Sequence, residues 1–182
     1  LITRRRGRGT FVARPPVPVA MLDIVSMASE IPKRGQAYRY SCLTQRMVAA
    51  EGEVAKLLRV ELGTPLRYIL CSHRADGDVI ELEERWINPR VLPSAETQDF
   101  SEVGPGQWLL AATPWTEAEH TVSVVNADPE LAALLEAEAG AACLVLERRT
   151  FQDDQVVTFA RLTYAGDRHR MTERFRPRGT AP

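Results

Sequence analysis

The sequence predicts an α+β domain in which helices flank an antiparallel sheet. Two tight turns support this prediction: Asp76-Gly77-Asp78 separates two extended runs near the middle of the chain, and Asp153-Asp154 separates two more near its end. Strands joined by such short turns pair antiparallel. A third observation is the helix signature at Asp128, where a capping aspartate precedes a proline and an apolar stripe.

The remaining elements follow in order along the chain. Apolar spacing and turn residues predict strands over residues 38–50, 66–75, 79–88, 117–126, 143–152 and 156–164. They predict helices over residues 22–34, 53–60 and 107–112, and a last helix that begins at Pro129 and ends at Gly140. Pro32 is best accommodated in a first helical turn, so we expect Ser29 rather than Ser26 to cap the first helix.

The N-terminal segment predicts a short basic hairpin. Residues 1–3 and 10–12 are extended runs on either side of a glycine-containing turn that carries several arginines. Arginines at such a turn either contact DNA, whose narrow minor groove attracts them, or belong to a solvated tail.

A proline-rich stretch follows this hairpin. Three prolines within residues 14–18 favour a stiff, extended connection between domains. We therefore divide the chain into the end of one domain at residues 1–13, a linker at residues 14–20 and the main domain at residues 21–177. The chain opens at Leu1 in what looks like the middle of a strand, so we expect it to be a piece of a longer protein.

The composition is that of an ordinary globular protein. Hydrophobic residues make up 45% and charged residues 26% of the 182 residues, and the formal net charge is -1. This balance does not require nucleic acid or a membrane as a partner, and no apolar run approaches the roughly 20 residues that span a bilayer. Three cysteines at wide spacing argue against disulfides and against a zinc site. We expect a cytoplasmic protein with reduced thiols, no cofactor and no metal.

The central hairpin has two alternative registers with opposite chemical consequences. On its first strand, Ile69, Cys71 and His73 share one face because side chains alternate along a strand. A two-residue turn would place apolar residues beside them, namely Ile80, Leu82 and Trp86. A three-residue turn with a bulge would place polar residues there, namely Glu81, Glu83 and Arg85. The first register predicts an apolar core face with one satisfied histidine, and the second predicts a polar concave face.

Other polar segments give weaker signals. His120 follows Glu117 and Glu119, but on a strand both carboxylates face away from it, so we predict no metal site there. The arginine-rich segments at residues 147–151 and 166–175 are typical of solvated faces or dimer contacts. The sequence has no nucleophile-elbow, phosphate-loop, zinc-protease or dinucleotide motif, so it predicts no enzyme activity.

Several segments resemble one family of bacterial regulators. Residues 7–12, GRGTFV, closely resemble the wing that ends the winged-helix domain of GntR-family repressors. Four later segments resemble, in family order, the UTRA domain of the HutC subfamily: ADGDVIELEERWINP at 75–89, TPWTEAEHTV at 113–122, CLVLERRTF at 143–151 and GDRHRMTERF at 166–175. Within that subfamily they are most similar to the histidine-utilisation repressors, whose effector is urocanate.

This resemblance implies a chorismate-lyase-like fold, a homodimer and a small-molecule effector. In sugar-phosphate-binding relatives, an RxRxADG strand supplies two arginines to the phosphate, and the matching residues here are Cys71 and His73. Their identity argues against a sugar phosphate and favours a smaller, less charged ligand such as urocanate. Glu83 matches a pocket glutamate of a relative, which implies the polar hairpin register, and Ser26 matches a pocket serine. We add Tyr164 as a residue that lines the pocket.

The resemblance also assigns the N-terminal hairpin to DNA recognition. The residues expected to contact operator DNA are Arg5, Arg6, Gly7, Arg8, Gly9 and Thr10. The sequence thus predicts the effector-binding and dimerisation domain of a transcription repressor, preceded by the end of its DNA-binding domain. Three alternatives stay open: a similar regulator that senses another small carboxylate or amine, an enzyme on the lyase-like fold, and a dimer-contact domain without an effector.

Overall fold

Antiparallel pairing between neighbouring strands organises most of the described chain. The computed structural model describes residues 2–5, 9–12, 17–19, 26–112 and 115–171. Their strands are β1 (Ile2–Arg5), β2 (Gly9–Val12), β3 (Val17–Val19), β4 (Tyr38–Ala49), β5 (Pro65–Ala75), β6 (Asp78–Ile87), β7 (Glu117–Asn126), β8 (Ala142–Gln152), β9 (Gln155–Ala165) and β10 (His169–Met171). Their helices are α1 (Met27–Lys33), α2 (Gly52–Leu57), α3 (Pro105–Ala112) and α4 (Pro129–Leu135), with a single 3-10 turn at Pro93–Ala95.

The main sheet has six strands in the order β4-β5-β6-β9-β8-β7. Each neighbouring pair is antiparallel, and the two hairpins predicted from the Asp-Gly and Asp-Asp turns form its central part. This arrangement confirms the predicted α+β class with helices against an antiparallel sheet. Within the described ranges, no helix is long and apolar enough to cross a membrane.

The helices lie on opposite faces of this sheet. On the face that we call the front, α1 and the segment at 88–112 pack in two apolar clusters, through Met27 and Ile31 and through Phe100 and Leu109. On the back face, α2 and α4 pack against apolar residues of the inner strands. These helices shield much of the inner strands from water, so several polar side chains there, including Glu81 and Glu83, are buried.

Two helix ends differ from the prediction. Ser26, not Ser29, is the N-cap of α1, and Pro32 lies near the end of the helix. The proline is tolerated there because α1 ends at Lys33, so only one helical hydrogen bond is lost.

In α4, Asp128 accepts a hydrogen bond from the Leu131 backbone N–H (2.8 Å) as expected. The helix nevertheless ends at Leu135, because Glu136 adopts a left-handed conformation (φ 51°) well before Gly140.

The β5–β6 hairpin has the two-residue turn. Asp76 and Gly77 both have positive φ, 51° and 94°, as a type I′ turn requires. Ala75 pairs with Asp78 across this turn. A turn of this length, without a bulge, would set Ile80 and Leu82 beside His73 and Cys71, which is the apolar register.

A β-bulge nevertheless establishes the polar register. His73 pairs with Glu81, which leaves Ile80 as an extra residue between this pair and the turn. The shift carries through the rest of β6 and places Glu83 directly opposite Cys71. The prediction that turn length selects the register is therefore wrong, because the extra residue lies in the strand rather than in the turn.

The N-terminal strands lie outside the main sheet. β1 and β2 pair antiparallel from Ile2 and Val12 to Arg5 and Gly9, which forms the expected hairpin. Arg6, Gly7 and Arg8 lie outside the described residues. Within the predicted linker, β3 pairs in parallel with β10, so the linker contacts the end of the main domain.

Candidate functional site

A cluster of buried polar side chains lies on the front face of the β5–β6 hairpin. Its members are Cys71 and His73 of β5 and Glu81, Glu83 and Arg85 of β6, and each is at most 5% exposed. We call this set the polar cluster. Burial of so many polar groups is tolerated only when they satisfy one another or a ligand.

Hydrogen bonds connect the members of the polar cluster. His73 Nε2 lies 3.2 Å from Glu83 Oε2 and 3.6 Å from Glu81 Oε1. Arg85 Nε donates to the other oxygen of Glu83, Oε1. The Cys71 thiol lies 3.8 Å from Glu83 Oε2 and 3.7 Å from His73 Nε2. Glu83 is therefore the centre of the network.

Three tyrosines surround the polar cluster. The Tyr38 hydroxyl lies 2.8 Å from His73 Nδ1, so both ring nitrogens of His73 are engaged. The Tyr40 ring packs 5.5 Å from the His73 ring, and its hydroxyl donates to the Phe100 carbonyl (2.7 Å). Tyr164 is buried beside Glu81, whose carboxylate adds to the effect of burial in raising the pKa of the Tyr164 hydroxyl. The site thus combines charges with flat aromatic surfaces.

A second buried arginine lies on the same face. Arg148 of β8 is buried, and its Nε donates to His120 Nε2 (2.8 Å). Burial, and next the positive charge of Arg85, lower the pKa of Arg148, while Glu81 and Glu83 partly offset both effects. Its pKa therefore responds to three members of the polar cluster. Of the two expectations for this arginine-rich strand, a solvated face or a dimer contact, the solvated face is wrong for Arg148, which is buried.

Its neighbour follows the expected alternation. Arg149 lies on the opposite face and contacts both oxygens of Glu119, at 2.6 and 2.7 Å. Glu119 therefore faces away from His120, as strand geometry predicts.

The surroundings of Glu81 and Glu83 shift the pKa values of these two carboxyl groups in opposite directions. Burial raises the pKa of Glu81. Burial also opposes ionisation of Glu83, but Arg85 and His73 outweigh it and hold the pKa of Glu83 at about 2. Burial by itself lowers the pKa of His73, yet its hydrogen bond to Glu83 and the charges of both carboxylates leave that pKa raised. Glu83 is thus the fixed negative charge of the site.

The Cys71 thiol is unsuited to nucleophilic attack. Burial, together with Glu83 and Glu81, raises its pKa well above the usual range. A reactive cysteine requires the opposite, an electropositive and partly exposed setting. The cysteine, histidine and glutamate of this cluster therefore favour binding over catalysis.

A glycine-containing segment covers the polar cluster. A Cβ atom at Gly104 would lie 3.4 Å from both the His73 and Tyr40 rings. One at Gly106, in the first turn of α3, would lie 3.5 Å from Arg85 Nη2. Close approach of this backbone therefore limits the size of any molecule that binds here.

Four of the five predicted site residues come together in the structure. Cys71, His73 and Glu83 belong to the polar cluster, and Tyr164 contacts it through Glu81. Ser26 is half-buried at the N-terminus of α1, whose Met27 shares an apolar cluster with Tyr164.

The sequence prediction missed three residues of this site: Tyr38, Tyr40 and Arg148. Tyr38 and Tyr40 alternate with outward-facing residues on β4, which is a recognisable signal. No sequence signal identifies Arg148 as a site residue, because its place beside the polar cluster depends on the order of the strands in the sheet.

Sequence comparison relates the chain to bacterial repressors. Residues 33–170 match the family model of the UTRA domain. The chain is 37% identical over 175 residues to a histidine utilization repressor of Pseudomonas putida, covering 96% of this chain and 71% of that protein. It is 35% identical over 175 residues to a histidine utilization repressor of Klebsiella aerogenes, covering 96% and 73%.

Solved structures agree with these relationships. The C-terminal domain of a histidine utilization repressor from Pseudomonas syringae pv. tomato superposes with a TM-score of 0.72 at 33% identity, covering 77% of this chain and 99% of that domain. PhnF from Mycobacterium smegmatis superposes with a TM-score of 0.80 at 24% identity, covering 97% of this chain and 79% of that protein. At that lower identity the similarity concerns the fold.

Proposed function

Because the chain belongs to the UTRA-domain family of GntR-type transcription repressors, in the HutC subfamily, we propose that its front face binds urocanate and thereby controls histidine-utilisation genes. Its relatives are repressors, so the chain is a regulator rather than an enzyme. The observation that carries the proposal is the set of two buried carboxylates and two buried arginines around His73, together with one buried and two partly buried tyrosines. A planar ligand with an imidazole at one end and a carboxylate at the other matches these groups.

The acidic side of the site suits the imidazole end. Imidazole nitrogens donate and accept hydrogen bonds, and Glu81, Glu83 and His73 offer complementary atoms within a few ångströms of one another. The rings of Tyr38 and Tyr40 add flat surfaces against which a conjugated ligand packs.

The basic side of the site suits the carboxylate end. Arg85 is occupied by Glu83, whereas Arg148 uses Nε on His120 and carries four further N–H donors on its two Nη atoms. Arginine binds carboxylates through pairs of such donors. We propose Arg148 as the main carboxylate contact, with the Ser26 hydroxyl assisting from α1.

A sugar phosphate is disfavoured at this site. The two positions that carry arginines in sugar-phosphate-binding relatives are Cys71 and His73, and both lie beside Glu83. A phosphate dianion placed there would meet a carboxylate with a pKa of about 2, which stays ionised at neutral pH.

Thermal unfolding with and without millimolar urocanate tests this proposal. A ligand at 100 times its dissociation constant adds about 2.7 kcal/mol to stability, so we expect the melting temperature to rise by several degrees. Histidine and glucosamine 6-phosphate are the comparison ligands. A shift with glucosamine 6-phosphate and none with urocanate would reject the proposed effector, and a shift with another small carboxylate would favour that alternative.

Two matched arginine variants test whether Arg148 binds the urocanate carboxylate. Arg148→Met should abolish the urocanate shift, whereas Arg149→Met, one residue away on the back face, should retain it. His73→Ala should also abolish the shift. If either of the front-face variants binds urocanate like the unmodified chain, the corresponding contact is wrong.

We also propose that the domain forms a homodimer through the edge strand β7. In the described part of the chain, β7 pairs only with β8, and its Val122, Val124 and Val125 are exposed. Such an apolar edge is a template for pairing with a second copy. In sedimentation experiments, Val124→Glu should shift the chain toward monomer, whereas Leu62→Glu, at a residue that is 75% exposed beside α2, should not.

The N-terminal hairpin completes the proposed regulator. Residues 1–13 are proposed to be the end of a winged-helix domain, in which Arg5, Arg6, Gly7, Arg8, Gly9 and Thr10 contact operator DNA in the cytoplasm. Urocanate would alter DNA binding only by the difference in its affinity for two arrangements of the dimer. In a chain that includes the whole winged-helix domain, Arg8→Ala should weaken operator binding and reduce its salt dependence.

A further inference from the structure

Three ligand atoms of the polar cluster converge on one point. Cys71 Sγ lies 3.7 Å from His73 Nε2 and 3.8 Å from Glu83 Oε2, and the last two atoms are 3.2 Å apart. All three residues are buried. We propose that these atoms form a binding site for a divalent transition-metal ion of the zinc type.

The spacing of the three atoms fits tetrahedral coordination. Zinc binds sulfur at about 2.3 Å and imidazole nitrogen or carboxylate oxygen at about 2.0–2.2 Å. At tetrahedral angles these bond lengths separate the ligand atoms by about 3.3–3.6 Å. The observed distances lie within a few tenths of an ångström of this range, so small side-chain rotations suffice to enclose an ion.

Neighbouring groups already orient two of the three ligands. The Tyr38 hydroxyl lies against His73 Nδ1, which leaves Nε2 as the metal-binding nitrogen. Arg85 holds Glu83 Oε1, which leaves Oε2 for the metal. Such outer contacts on ligating histidines and carboxylates are a regular feature of metal sites.

The backbone supports the same arrangement. Cys71 and His73 alternate on β5, and the bulge at Ile80 sets Glu83 directly opposite Cys71. Because the three ligands project from paired strands rather than loops, their relative positions are fixed by the sheet.

The donor set selects the class of ion. A thiolate and an imidazole favour zinc and the late first-row ions, whereas magnesium and calcium prefer oxygen ligands alone. The thiolate and the Glu83 carboxylate, which also pairs with Arg85, bring two negative charges to a divalent ion in this buried setting. Three protein ligands leave the fourth tetrahedral position for water or for an added imidazole.

The cysteine spacing had argued against zinc because it contains no paired motif. Here the ligands come from two strands and include only one cysteine, a pattern that a search along the sequence does not recognise. The inference does not depend on the identity of the effector, because the metal ion alone is the probe.

Cobalt absorption tests the site directly. We expect the metal-free chain to bind one equivalent of Co²⁺, with a sulfur-to-cobalt charge-transfer band in the near ultraviolet and intense visible bands typical of tetrahedral cobalt. Zinc should displace the cobalt and raise the melting temperature. If the unmodified chain shows no charge-transfer band at stoichiometric cobalt, the proposal is overturned.

Variants identify the ligands. Cys71→Ser should remove the band, whereas Cys143→Ser, at a buried cysteine on the back face, should retain it. Glu83→Gln keeps the size of the side chain and should weaken cobalt binding at least tenfold, which remains measurable if the cysteine variant does not fold. A band that survives Cys71→Ser, or cobalt affinity unchanged in Glu83→Gln, would overturn the site.

Discussion

The two faces of the β5–β6 hairpin differ in chemistry and in burial: the polar cluster on the front face is buried, whereas Tyr68, Leu70 and Trp86 on the back face are only partly buried. On the back face, Trp86 stacks on Phe159 at 5.5 Å and packs with the apolar residues of α2. On the front face, the polar cluster occupies the alternate positions of the same strands. Apolar burial stabilises the back face, whereas the front face gains from each charged pair little more than the desolvation it costs. Apolar packing around Trp86 and Phe159 therefore contributes more to stability than the polar cluster, which is where we propose that a ligand binds.

Removal of the fully buried ring from the back face should have the greatest effect on stability. Phe159 is fully buried, so Phe159→Ala should lower the free energy of unfolding by about 4 kcal/mol through lost burial and a residual cavity. Urea denaturation measures this loss. Below the transition, the variant should still bind the ligand of the front face, and a loss under 1 kcal/mol would contradict the assignment of Phe159 to the core.

Breaking one charged pair on the front face should be nearly as costly. Glu83→Ala leaves Arg85 buried without its partner and should destabilise the chain by about 3 kcal/mol. Replacement of both residues, Glu83→Leu with Arg85→Met, should recover most of that loss, because neither charge of this pair is then buried without the other. A double variant no more stable than Glu83→Ala would show that the pair itself stabilises the fold.

Protonation of His169 should destabilise the front face at acidic pH. This buried imidazole stacks on Tyr164 at 3.8 Å, and burial, with the nearby charge of Arg34, lowers its pKa to about 4. The unfolded state, with a pKa near 6.5, binds the proton first, so stability is present above that value and is lost as pH falls toward 4. The expected loss is roughly 2 kcal/mol between pH 7 and pH 5. His169→Phe should retain the stacking and remove this part of the pH dependence; equal slopes for both chains would contradict it.

The smallest of these effects concerns a helix that covers the back face. Asp128 caps α4 through the Leu131 N–H, so Asp128→Ala should cost about 1 kcal/mol. The urocanate response should be unchanged, since α4 packs against the back face. A weakened response at equal folded fraction would mean that the two faces are coupled.

Most of the fold follows from local sequence rules, and the confirmed elements show why. The turn at Asp76-Gly77 and the helix cap at Asp128 each depend on a few adjacent residues. Both can therefore be predicted from the local sequence alone. The end of α4 was misplaced because Glu136, a residue without a strong turn preference, adopts the left-handed conformation normally given to glycine.

The site follows from the sequence only in part. Cys71, His73 and Glu83 could be named from a family resemblance, but the relation between them depends on the Ile80 bulge, which no turn motif announces. Arg148 reaches the same face from two strands beyond β6, and that neighbourhood depends on the order of strands in the sheet. Pairing across a sheet is a long-range property, which sequence patterns along one strand do not contain.

Because Ile80 is unpaired in the bulge, β6 is one residue longer than its pairing with β5 requires. Loss of a single codon between positions 79 and 82 could be absorbed by closing the bulge, and Glu83 would still lie opposite Cys71. A hairpin shorter by one residue at this point would therefore keep the centre of the polar cluster in place.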